Sequence, residues 1–63
     1  MIDLKSKRKQ QGLTQGDLAH VAKLSASLIW KLENGERKPS VKVAKRIASI
    51  LGFDWTDFFK ETA

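Results

Sequence analysis

Residues 15–34 read QGDLAHVAKLSASLIWKLEN, and the spacing of apolar residues within this stretch decides the fold. Leu18, Ala19, Val21 and Ala22 fall on one broad helical face, and Leu28, Ile29 and Leu32 repeat at helical spacing after Ser25. Only Lys23 and Leu24 lie between the two runs. Thr14 stands three residues before Asp17, close to a capping box with Asp in place of the longer Glu or Gln, so a second helix is expected to start near Gln15. Ser25 is a good N-cap for a third. Two short helices that meet steeply need a small residue at their contact, a tight turn and an apolar anchor behind the second helix. Ala19, Leu24 and the pair Ile29 and Leu32 supply these, with Leu18 and Ala22 facing inward.

Outward from this unit the chain continues to read as helix. Asp3 caps a first helix that runs to about Gln11, where Gly12 provides a stop tolerant of positive φ. Downstream, Asn34-Gly35 ends the third helix, and Glu36-Arg37-Lys38-Pro39 forms a polar connection whose proline biases Lys38 away from helix. Ser40 caps a fourth helix, the most apolar of the set, carrying Val41, Val43, Ala44, Ile47, Ala48, Ile50 and Leu51 before Gly52. Asp54 begins a short fifth helix whose Trp55, Phe58 and Phe59 are expected to close the core opposite the second and third helices. With no strand pattern and no repeat, the expectation is a single all-α, compact five-helix domain over residues 1–63.

Composition narrows what such a domain can do. Twelve Lys and Arg against seven Asp and Glu give a net charge of +5, concentrated in Lys5, Lys7, Arg8 and Lys9 and again in Arg37, Lys38, Lys42, Lys45 and Arg46. Polyanions are the partners such clusters favour. Asp54, Asp57 and Glu61 against Lys60 give the C-terminal ten residues an acidic character. With no cysteine there is neither a disulfide framework nor a thiolate metal site, which suits a reducing cytoplasm. No apolar run is long enough for a signal core or a bilayer span. An enzyme is argued against by the missing Cys and Tyr, the single His20, the absence of a phosphate-cradling glycine loop and the lack of room for a deep pocket. His20, without a second ligand type, is assigned no role.

Leu13-Thr14-Gln15, Leu18-Ala19, Ser25, Ile29, Leu32-Glu33-Asn34-Gly35 and Pro39-Ser40 together resemble the Xre family, relatives of the repressor and Cro proteins of lambdoid phages. The resemblance runs from Leu4 and Arg8 to Gly52-Phe53. It implies a cytoplasmic transcriptional regulator, a repressor, that binds a double-stranded DNA operator as a homodimer, one able to form on DNA, with the third helix in the major groove of each half-site. Carried over by position, Gln15 contacts phosphate and braces the third helix. Ser25, Ala26, Ser27 and Lys31 meet phosphate or base edges, and Asn34, Arg37 and Lys38 meet the backbone. Arg8 and Glu33 match an internal ion pair. By chemistry, Lys31 can donate to guanine, Ser27 can pair with several bases, and the Ala26 methyl can pack on a thymine methyl.

The sequence departs from the family pattern in three places. Lys23 stands where glycine often takes a left-handed conformation, Gly16 weakens the first helical turn, and the large Trp30 flanks the outward arc of Ala26, Ser27, Lys31 and Asn34. Three readings of Trp30 stay open: packing on sugar and base edges, a protein contact, or folding back on its neighbours. A dimer surface is expected at Phe53, Trp55 and Phe58. No metal, cofactor, small-molecule ligand or membrane partner is implied. The alternative to an operator-binding regulator is a DNA-binding antitoxin or a protein-interaction module of the same fold.

Overall fold

A computed structural model describes residues 2–60, so Glu61, counted in the acidic C-terminal end, lies outside the described residues. The chain forms α1 (Leu4–Gln10), α2 (Gln15–Ala22), α3 (Ala26–Glu33) and α4 (Val41–Leu51), followed by a 3₁₀ helix, η1 (Trp55–Phe59). There is no strand among the described residues. The expected fifth α-helix is therefore corrected to a 3₁₀ helix. Asp54 Oδ1 accepts from the Thr56 amide at 3.0 Å and the Thr56 hydroxyl at 2.8 Å, while the Asp57 amide bonds back to Asp54 O at 3.0 Å. Three residues per turn bring Trp55 and Phe58 onto one side, and both pack against the core.

Every helix begins on a side-chain cap, which explains why the short α1, α2 and α3 have defined starts. Asp3 accepts from the Ser6 amide, Ser25 from Leu28 and Ser40 from Val43. At Thr14 both halves of the capping box form: the Asp17 amide donates to Thr14 Oγ1 and the Thr14 amide to Asp17 Oδ2, each at 3.0 Å. A left-handed residue follows each α-helix within two residues, glycine at 12, 35 and 52 but Lys23, at φ 58° and ψ 43°, after α2. The stop at Lys23 is a Schellman turn, with Leu24 N–H bonded to Ala19 O at 2.8 Å and Lys23 N–H to His20 O at 3.2 Å.

The core is built where the helices cross. Leu18, Ile29 and Ile47, from α2, α3 and α4 respectively, are the largest fully buried side chains. Around them lie Leu4, Ala19, Ala22, Leu32, Ala44, Leu51 and Phe58, with Leu24 packed against the cluster from the turn. α2 packs chiefly on α3, while η1 packs on α4. Buried Ala19 is the small residue that lets α2 and α3 approach. No helix among the described residues is long and apolar enough to cross a membrane.

Candidate nucleic-acid interface

α3 has two chemically different sides. Ile29 and Leu32 anchor it in the core, whereas Ala26, Ser27, Trp30, Lys31 and Asn34 are all exposed. Helical geometry places those five residues on one arc, and the short turn after α2 leaves that arc uncovered by the rest of the chain. Trp30 is 47% exposed, so about half of the indole surface stays open to solvent.

A buried polar network fixes the far end of α3. Arg8 Nε donates to Glu33 Oε2 at 2.7 Å, and the two side chains are 8% and 3% exposed. A second guanidinium nitrogen reaches Glu33 Oε1 at 3.2 Å, and the third donates to Leu13 O at 2.7 Å. Gln15 Nε2 completes the set, donating to Glu33 Oε1 at 3.1 Å. One carboxylate thus ties together α1, the α1–α2 turn, the first residue of α2 and the last residue of α3. Arg8 is consequently a brace, and it is removed from the pool of cations able to meet an anion. Gln15 remains half-buried, with its carbonyl oxygen free of any partner among the described residues.

Two further residues hold this unit together, and sequence reading did not identify either in that role. Arg46 donates to Ala22 O at 3.1 Å, fixing the C-terminal end of α2 to α4 just before the turn. Gln11 Nε2 reaches Leu51 O at 3.4 Å. By charge Arg46 belongs to the basic cluster, whereas the carbonyl it satisfies, 24 residues away, is not visible in sequence.

The remaining expected contact residues are placed as follows. Ser25 Oγ accepts from the Leu28 amide at 3.1 Å, leaving the hydroxyl proton available. Asn34 turns back on its own helix, donating through Nδ2 to Trp30 O at 2.8 Å. Arg37 and Lys38 are exposed on the α3–α4 loop and, like Lys31, have no ion-pair partner among the described residues. With Leu28, Pro39, Ser40 and Val43 they line an open groove beside the start of α4. A Cβ at Gly16 would meet only Thr14 Oγ1, at an ordinary 3.8 Å, so packing within the chain does not require glycine there. Exposed His20 belongs to no group of potential metal ligands among the described residues.

Of the expected dimer residues Phe53, Trp55 and Phe58, the last lies in the core of the single chain. Phe58 is 9% exposed and belongs to the core of the single chain, with its ring centroid 5.3 Å from that of Phe53. Phe59, 43% exposed, is the aromatic that faces solvent, edge-on to Trp55 at 6.0 Å. The burial of Phe58 has a physical cause: in a 3₁₀ helix the inward position repeats every three residues from Trp55, which selects Phe58.

Comparison with known proteins agrees with this geometry. Residues 4–58 match the family described as helix-turn-helix. The chain is 47% identical over 58 residues to the uncharacterized HTH-type transcriptional regulator YqaF of Bacillus subtilis (strain 168), covering 92% of this chain and 76% of that protein. It is 35% identical over 51 residues to the ImmF control region 10 kDa protein of Bacillus phage phi105, covering 81% of this chain and 57% of the phage protein.

Proposed function

The chain belongs to the helix-turn-helix family, and from that premise we propose that it is a sequence-specific, double-stranded-DNA-binding transcriptional regulator, a repressor, that reads an operator with α3. The observation that carries the reading is the arc of α3 left exposed with three cations, Lys31, Arg37 and Lys38, that have no ion-pair partner among the described residues, while its opposite side is locked by Ile29, Leu32 and Glu33. A rigid helix presenting donors and apolar groups to solvent fits a major groove about 12 Å wide. Gln15, Ser25, Asn34, Arg37 and Lys38 set its position on the phosphates, and Ala26, Ser27, Trp30 and Lys31 meet base edges.

The domain measures 31 × 21 × 19 Å, enough to cover one half-site. Two copies on one face of the duplex, with their α3 helices about 34 Å apart, read a two-fold operator. Phe53, Trp55 and the exposed Phe59 are the surface for that pairing, formed on DNA. In this reading the regulator works in the cytoplasm, where it meets its operator.

Selection of bound duplexes from random DNA, followed by titration of the selected site at increasing salt, tests the reading. Palindromic half-sites are expected, with affinity falling steeply as counterions compete. If no duplex binds at low salt, the chain is a protein-interaction module and the proposal fails.

A further inference from the structure

The exposed arc of α3 is unusual in what it lacks. Among the described residues it carries no carboxylate, because Glu33 is buried and shared by Arg8 and Gln15. Its one carboxamide, on Asn34, is turned back to Trp30 O. Lys31 offers donors only, and the Trp30 indole offers one N–H donor and no acceptor. The acceptors this arc leaves for a base are the Ser27 hydroxyl and the Asn34 Oδ1, the latter on a side chain tethered to Trp30 O through its Nδ2. Adenine and cytosine present exocyclic amino donors in the major groove, and these need acceptors. Guanine presents N7 and O6, and thymine presents O4 beside a methyl group. With Lys31 and Trp30 offering donors only, the front of the helix favours guanine and thymine edges.

Apolar surface distinguishes between these two bases. Ala26 and Trp30 are four residues apart, one helical turn, so their side chains are neighbours on the same face. Both are exposed, and Trp30 is among the few large hydrophobic residues that folding leaves uncovered. Thymine is the only base with an apolar group in the groove. We infer that Trp30, with Ala26 beside it, is a reader of thymine 5-methyl groups and the principal specificity-determining residue of the interface. This deepens the DNA-binding reading above and rests on it.

The test replaces each thymine of the selected operator, one at a time, with deoxyuridine, which removes the methyl and leaves base pairing intact. At one or two positions per half-site the affinity of the unaltered protein should fall about fourfold, the equivalent of the roughly 0.8 kcal/mol gained by burying one methylene-sized group. Trp30→Ala should weaken binding to the thymine operator and abolish the difference between thymine and uracil, while Trp30→Phe retains part of it. If Trp30→Ala does not fold, the uracil scan and Trp30→Phe decide the matter. Tight binding with no uracil effect at any position overturns this inference and leaves the proposed function standing. Retention of full affinity and methyl dependence by Trp30→Ala also overturns it. Failure to bind any duplex removes both readings.

Discussion

Around α4 and η1 the basic side chains that meet the aromatic segment are folded against the protein. Lys45 Nζ lies 5.2 Å from the centroid of Trp55, and Lys7 Nζ lies 6.0 Å from that of Phe53. Arg46, on the same helix as Lys45, is spent on Ala22 O. Around α3 the arrangement is reversed. There Arg8 is buried in an ion pair that supports the helix from behind, and Lys31, Arg37 and Lys38 stand free in front. The total charge of +5 therefore says less about binding than its division does: one part stabilises the fold, and a smaller part faces outward beside the exposed helix.

The largest effect should come from the buried pair. Arg8→Ala leaves the Glu33 carboxylate in a site that is 3% exposed, with only Gln15 to bond it. Removing one partner of such a pair costs about 3–5 kcal/mol, a large fraction of the total stability of a domain this small. Denaturant unfolding should register that loss, and an unchanged midpoint would mean that the network does not support α3. Next in size is the contrast between two lysines. Lys38→Ala should weaken binding to all DNA sequences alike and reduce the slope of log affinity against log salt by about 0.9, the value for one phosphate contact. Lys45→Ala, with its ammonium over Trp55, should leave that slope unchanged. Equal slopes for the two variants would erase the distinction between folded-back and free cations.

How much of this was legible in the sequence follows the range of the interactions. Caps at Asp3, Thr14, Ser25, Ser40 and Asp54 are local, involving partners two or three residues away, and each reads directly from spacing. The scaffold of Leu18, Ala19, Leu24, Ile29 and Leu32 is legible for the same reason, since helical period is itself local. The Arg8–Glu33 pair spans 25 residues and became visible only through family resemblance. Arg46 to Ala22 O, Gln11 to Leu51 O and the inward turn of Phe58 depend on how α4 lies against its neighbours, which no short window encodes. The orientation of Trp30 was open for the same reason.

Lys23 is a place where sequence and geometry agree that something is strained. α4 stops on Gly52 at φ 76°, whereas α2 stops on Lys23 at φ 58°, so the helix-turn-helix turn places a Cβ where the end of α4 has none. A side chain in this conformation costs about 1–2 kcal/mol, partly offset because glycine loses more chain entropy on folding. Lys23→Gly should therefore stabilise the domain by about 0.5–1 kcal/mol, raising Tm by roughly 2–8 °C. A lower Tm would mean that the lysine side chain contributes packing that outweighs its backbone strain.

The smallest effect concerns pH and separates the caps of the two regions by chemistry. α1, α2 and η1 begin on structures that use a carboxylate, whereas α3 and α4 begin on Ser25 and Ser40, which do not titrate. The Asp3 carboxyl is held below its ordinary value of 3.8 by the Ser6 amide and then the Ser6 hydroxyl. Asp17 is lowered in the same way by the amide and hydroxyl of Thr14, and Asp54 by those of Thr56. A depressed carboxylate contributes its stability fully above the unfolded value and loses it as pH falls through the folded one, so these caps weaken only below about pH 4. All three groups lie at the surface, and the change in overall stability is accordingly small. Amide proton shifts measured during acidification should expose it residue by residue. Those of Ser6, Thr14 and Thr56, which donate to carboxylates, should titrate below pH 4. Those of Leu28 and Val43, which donate to serine hydroxyls, should stay level until the domain unfolds, because the starts of α3 and α4 contain no group that acid can discharge. Titration of Leu28 together with Ser6 would show instead that the caps are coupled and that α3 is not insulated from the acidic residues of the other helices.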